Sequence, residues 1–196
     1  MSQRILIIAS ANIGKLREVR ALLEGMDVQV LPAPPEALAG VEETGKTFAE
    51  NALIKARAAA EHTGHIALAD DSGLEVDALH GAPGVYSSRF AGNDEARYRK
   101  LLSLLKDVPD EKRTARFRCA VAVVTPDGVS EIHEGTCEGL IAREPRGSNG
   151  FGYDPVFLVP HLGRTFAEIS SEEKNALSHR GKALRAAREA LQGLIR

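Results

Sequence analysis

Ile5-Leu6-Ile7-Ile8-Ala9 is apolar at every position, the pattern of a strand buried on both faces within an α/β sheet. It runs into a turn of small and polar residues, Ser10 to Lys15, after which Leu16, Val19, Leu22 and Leu23 recur at helical spacing as far as Gly25. Leu31 to Gly45 is rich in Pro, Ala and Glu and predicts a long loop or a short helix. Thr47 and Glu50 have the spacing of a capping box, which opens an Ala-rich helix through about His62, stopped by Gly64. His65 to Ala69 predicts a short strand that delivers Asp70-Asp71-Ser72-Gly73 at its C-terminal end.

A stretch dense in Gly and Pro follows from Gly81 to Gly92. Asn93 to Lys106 then predicts a helix with Leu101, Leu102, Leu104 and Leu105 as core candidates. Thr114 to Thr125 alternates as a long strand, solvated near Arg116 and Arg118 and buried beyond them. Pro126-Asp127-Gly128 supplies turn chemistry, so Val129 to Ile141 should return as the second arm of a hairpin. Pro155 to Val159 predicts another strand. Ser170 with Glu173 is a second capping box, and helix covers most of the rest to Ile195, with a break near Ser178 to Gly181. Interleaved helices and strands with one hairpin predict an α/β fold with a mixed sheet.

Composition narrows the function. The chain has 196 residues, which predicts one domain over residues 1–196. Lys and Arg number 25 against 27 Asp and Glu, a net charge of −2 that removes the broad basic footprint of a protein gripping long nucleic acid. Cys119 and Cys137 have no metal-ligand spacing and are expected to be reduced and buried. Neither Ile5–Ala9 nor Cys119–Val124 is long enough to span a membrane, and a cytoplasmic enzyme or binding protein is the expectation.

Five groups of residues carry possible chemistry. Gly14-Lys15 invites a phosphate-loop reading, but that motif needs Gly at 9 and Ser or Thr at 16, where the chain has Ala9 and Leu16. What survives is a strand–turn–helix that aims backbone N–H groups at an anion, with Lys15 as a point charge; taken alone, a solvated turn is the simpler reading. Asp70-Asp71-Ser72-Gly73 suits metal ligation or general-base work on water, and also a plain Asp/Gly turn. Glu42 and Glu43 are solvated loop charge unless a divalent cation needs a further oxygen ligand. Phe151-Gly152-Tyr153-Asp154 follows Arg146-Gly147-Ser148-Asn149-Gly150; its aromatics either plug the core or stack on a planar base. Lys174, His179, Arg180 and Lys182 lie within one short segment, as a solvated face or as a break aiming His179 and Arg180 at something specific. Together these groups describe a nucleoside polyphosphate with Mg²⁺.

The motifs as they stand resemble one family, the inosine triphosphate pyrophosphatases or dITP/XTP diphosphatases. They are Ser-Ala-Asn-Ile-Gly-Lys at 10–15, Thr-Phe-Ala-Glu-Asn-Ala at 47–52, Ala-Asp-Asp-Ser-Gly-Leu-Glu-Val-Asp-Ala-Leu at 69–79, Gly-Ala-Pro-Gly-Val-Tyr-Ser-Ser-Arg at 81–89, Phe-Gly-Tyr-Asp-Pro-Val-Phe at 151–157 and Glu-Glu-Lys-Asn-Ala-Leu-Ser-His-Arg-Gly at 172–181. The resemblance implies a long mixed sheet flanked by helices, two lobes around a central nucleotide-binding cleft, and a homodimer. It implies Mg²⁺-dependent hydrolysis of ITP, dITP and XTP to the monophosphate and pyrophosphate, cleansing the nucleotide pool. Carried over by position, Ser10, Ala11, Asn12, Ile13, Gly14 and Lys15 would hold the phosphates with Lys55. Glu42 and Asp71 would bind the metal, and Asp71 would be the general base. Ser72, Phe151, Gly152, Tyr153, Asp154, Lys174, His179 and Arg180 would contact the nucleotide, with His179 and Arg180 the strongest donors for a 6-oxo group. Ala11 departs from the pattern, since relatives often carry Gly there. Three other readings remain at this point: a pyrophosphatase of pyrimidine or modified nucleotides, a non-catalytic nucleotide sensor, and a structural protein.

Overall fold

The computed structural model describes residues 4–194. Its strands form one seven-stranded sheet in the order β2-β1-β3-β4-β5-β6-β7. They are β1 (Arg4–Ile8), β2 (Val28–Pro32), β3 (Ile66–Val76), β4 (Thr114–Val124), β5 (Ser130–Ile141), β6 (Phe157–Val159) and β7 (Arg164–Thr165). Strand β1 pairs parallel with β2 and β3, whereas β5–β6 and β6–β7 are antiparallel, so the sheet is mixed as expected. The helices are α1 (Ile13–Leu22), α2 (Pro35–Leu38), α3 (Phe48–Thr63), α4 (Asp94–Leu104), α5 (Ser171–Leu177) and α6 (His179–Leu194). The expected helix end at Ile195 lies outside the described residues.

The chain divides into two compact units, one of residues 1–71, 119–135 and 180–196 and one of residues 72–118 and 136–179. Each has its own core. In the first, Leu6, Ile8, Leu68, Val121 and Val123 from the strands pack with Val19 and Leu23 of the α1 region and Ala183, Leu184, Ala187 and Leu191 of α6. In the second, Leu74, Val76, Phe117, Phe157 and Phe166 pack with Leu101 and Leu105. Leu104 is exposed, because only every third or fourth position of α4 can face the core. Cys119 and Cys137 are buried thiols that form no disulfide. Among the described residues no helix is long and apolar enough to cross a membrane.

Local chemistry starts and stops the elements where the sequence said it would. The α3 capping box is complete, with Thr47 accepting from the Glu50 amide, and Gly64 ends the helix at φ +67°. The second box opens α5, and Ser178, extended at φ −70° and ψ 161°, separates α5 from α6. Three expectations need correction. Leu31 and Pro32 close an edge strand, Val28–Pro32, rather than opening the expected loop. Strand β6 begins at Phe157, because Pro155 lacks an N–H and sits in a 3₁₀ turn. Strand β3 does not end at Ala69; it runs on to Val76 with Asp70 and Asp71 in its middle.

Candidate active site

In the first unit, β1 leads through Ser10–Asn12 into α1, where the Asn12 side chain caps the helix by accepting from the Lys15 amide at 3.0 Å. Ala11, Asn12 and Ile13 are exposed at this helix start. Ala11 carries no positive φ, since among the described residues His80 is the one non-glycine that does. The departure from Gly at 11 is therefore without backbone strain.

Lys15 Nζ lies 2.9 Å from Asp70 Oδ2. Arg180 Nε donates to the same oxygen at 3.0 Å, and its terminal nitrogen pairs with Glu18. The Cys119 thiol, pushed up to about 12 by burial and then by Asp70, stays protonated with its sulfur 4.0 Å from that carboxylate. Burial disfavours the charged form of Asp70, but Lys15, Arg180 and Lys55 outweigh it and hold the carboxyl well below the usual carboxylate range. This pairing explains why β3 continues: a compensated carboxylate has no need to reach solvent.

Asp71, the next residue, has the opposite environment. Burial pushes its carboxyl up, Lys55 and Lys15 offset part of that, and Glu43 and Asp70 add to it. Helix α3 delivers two polar groups at i, i+4 to this residue. Asn51 Nδ2 donates to Asp71 Oδ2 at 3.3 Å, and Lys55 Nζ lies 3.4 Å from Asp71 Oδ1 and 2.9 Å from the Asp70 carbonyl. Lys55 also meets Glu43 Oε1 at 2.8 Å. Burial favours its neutral form, but Asp71, Asp70 and Glu43 prevail and raise its pKa. Glu42 is exposed, and it is Glu43 that reaches the group. Gly45 makes this possible: its N–H donates to Asn51 Oδ1 at 2.8 Å, and a Cβ there would stand 2.6 Å from that oxygen.

Among the described residues no three His, Cys, Asp or Glu side chains form a metal cage. Mg²⁺ is usually held by one or two carboxylates and completed by water and substrate phosphates. Glu43 and Asp71, two hard oxygen donors sharing the Lys55 ammonium, fit that requirement.

The second unit holds the aromatic group. Asp154, buried, accepts from Lys174 Nζ at 2.6 Å and from the Phe151 amide at 2.9 Å through one oxygen. A side chain at Gly150 would run into that carboxylate. The Lys174 ammonium sits 4.7 Å from the Phe151 ring centre and 5.6 Å from that of Phe166. His179 stacks on Phe117 with centroids 4.6 Å apart and planes within 10°. Tyr153 is buried with its hydroxyl donating to the Ser87 carbonyl at 2.9 Å, and Ser72 is half-buried in β3.

The first unit thus gathers Lys15, Lys55, Asp71 and Arg180, and the second gathers Phe151, Asp154, Lys174 and His179. Sequence reasoning left Glu43 level with Glu42 and missed Glu18, Asn51 and Phe117. Only Asn51 left a usable signal, a polar residue one helical turn before Lys55 on an Ala-rich helix.

A family model described as the Ham1 family matches residues 6–190. The chain belongs to the Ham1 family. It is 55% identical over 193 residues to a dITP/XTP pyrophosphatase of Desulforamulus reducens, covering 96% of both chains. A dITP/XTP pyrophosphatase of Symbiobacterium thermophilum is 52% identical, over 100% of this chain and 98% of that one. Among solved structures, the HAM1 protein of Coxiella burnetii matches at TM-score 0.87 and 47% identity, over 97% of this chain and 99% of that one. The Staphylococcus aureus Ham1 protein matches at TM-score 0.85 and 42% identity over the same shares. The α/β fold with its mixed sheet is therefore that of Ham1 proteins.

Proposed function

We propose that this chain, acting as one domain over residues 1–196, hydrolyses dITP, ITP and XTP to the nucleoside monophosphate and pyrophosphate. The observation that carries the chemistry is the pair of neighbouring carboxylates with opposed acidity. Asp70 is locked as an anion between Lys15 and Arg180, while Asp71 has a raised pKa and one ammonium beside it. Environments that separate two titratable groups in this way assign the base. The substrate class follows the names of relatives more than half identical over nearly the whole chain.

In this reading Asp71 takes a proton from water, whose oxygen attacks the α-phosphorus. The bond from that phosphorus to the bridging oxygen breaks, and pyrophosphate leaves. Lys15, Lys55 and the amides of the turn at 10–15 neutralise and orient the polyphosphate. Glu43 and Asp71 would hold Mg²⁺, which supplies further charge neutralisation when bound; Glu43 takes the place first expected of Glu42 because its carboxylate meets Lys55. Phe151 stacks on the base, and Lys174 and His179 donate to its 6-oxo edge, which adenine lacks. Arg180, engaged by Asp70 and Glu18, supports the acidic pair instead of reading the base. A cytoplasmic homodimer belongs to the same reading and rests on the resemblance to the family.

Phosphorus NMR of the products from ITP and Mg²⁺ tests it. IMP with pyrophosphate is expected; IDP with orthophosphate overturns the reaction assignment.

A further inference from the structure

The loop that carries Phe151 is built from residues that are costly to order. Gly150 and Gly152 both take positive φ, +77° and +64°, and glycine loses more conformational freedom on folding than any other residue. At Gly152 a Cβ would meet nothing within 4 Å, so it is the backbone angle, not space, that calls for glycine. A loop of this kind presents its aromatic in one orientation only if the flanking amides are held. The Phe151 amide is held locally by Asp154 at 2.9 Å. The Gly152 amide is held from far along the chain, donating to Asp94 Oδ2 at 2.8 Å.

Asp94 is the first residue of α4, yet it is not that helix's cap. Asn93 fills the role, its side chain accepting from the Ala96 amide at 2.8 Å. Glu95 also supplies first-turn negative charge. The carboxylate of Asp94 is itself oriented, because Oδ1 accepts from Arg97 at 2.6 Å and Arg97 Nε is anchored on the Ala91 carbonyl at 3.1 Å. A fixed acceptor thus meets the most freely rotating residue of the aromatic loop.

We propose that Asp94 is a positioning residue for nucleotide binding: by holding the Gly152 amide it fixes the Phe151 ring against which the purine packs. This rests on the reading of Phe151 as the base-stacking surface. Loss of Asp94 frees Gly152 to sample other φ values, and the ring with it. The attack on the α-phosphorus of bound substrate is unaffected, so the effect falls on KM rather than kcat.

The test measures KM and kcat for ITP with Mg²⁺, and Tm, in Asp94→Ala, Asp94→Asn, Phe151→Ala and the Asp94→Ala/Phe151→Ala pair. Asp94→Ala should raise KM about five- to tenfold, the scale of one ordinary net hydrogen bond, with kcat within about twofold. Asp94→Asn retains a carbonyl acceptor for the amide and should recover most of the loss. The double variant should be no worse than Phe151→Ala, since both changes act through one ring. The chain has no tryptophan, so Phe151→Trp gives a single reporter whose fluorescence anisotropy should show added fast motion when Asp94→Ala is introduced. Unchanged KM in Asp94→Ala, fully additive losses, or unchanged anisotropy would overturn the proposal while leaving Phe151 its role. Unchanged KM in Phe151→Ala would overturn both.

Discussion

Replacing each member of the Asp70-Asp71 pair by asparagine should give two unlike failures. Asp70 is almost fully buried, 2.9 Å from Lys15 and 3.0 Å from a buried Arg180. Asp70→Asn keeps the shape and removes the anion, leaving two cations facing each other. Breaking a buried pair from one side costs about 3–5 kcal/mol. For a chain of this length about 2–4 °C of Tm is lost per kcal/mol, so Tm should fall by roughly 6–20 °C. Asp71 has the Lys55 ammonium at 3.4 Å and an uncharged partner in Asn51, and burial, only partly offset by Lys55 and Lys15, disfavours its anion. Asp71→Asn should therefore leave Tm unchanged or slightly raised, while losing a general base lowers kcat about 10²–10⁴-fold. Calorimetry alongside pyrophosphate release from ITP separates the two. If Asp70→Asn is as stable as the parent, the ion-pair argument is wrong. If Asp71→Asn keeps its turnover, the base is elsewhere.

The same shifts set the pH behaviour. The depressed pKa of Asp70 contributes stability that is present above the unfolded carboxylate value of about 3.9 and lost as pH falls below it toward the folded value; acid denaturation curves should show this loss in the parent and not in Asp70→Asn. Asp71, raised, must be ionised to act, so the acid limb of kcat/KM should lie above pH ~4, and a limb below that value would refute its role. Glu43→Gln should raise the Mg²⁺ concentration for half-maximal rate by about tenfold or more, with Glu42→Gln within about twofold, in a metal titration of ITP hydrolysis. Gly45→Ala, which drives a Cβ to 2.6 Å from Asn51 Oδ1, should cost about 1–3 kcal/mol and lower kcat, measured by denaturant melts and turnover. Arg180→Ala should depress kcat/KM for ITP and for ATP by similar factors; a loss confined to ITP would return Arg180 to the base.

Elements whose causes lie within a turn or two were legible along the chain. The capping boxes at Thr47 and Ser170, the stop at Gly64 and the break at Ser178 are all set by side chains within a few positions of the backbone they serve. So were β1, where burial on both faces leaves a continuous apolar run, and β4, which alternates at its start and is buried throughout from Cys119. The choice between adjacent acids was not. Glu42 and Glu43, like Asp70 and Asp71, are chemically near-identical neighbours, and which one enters the charged group depends on Lys55, on Lys15 and on an arginine 110 residues away. The length of β3 was hidden for the same reason, since two aspartates read as a turn until distant cations bury them. Residue types along the chain pointed to a charged, planar ligand; only the tertiary structure decided which acid is locked between two cations and which keeps a raised pKa, because electrostatic environment is summed over partners brought together by folding.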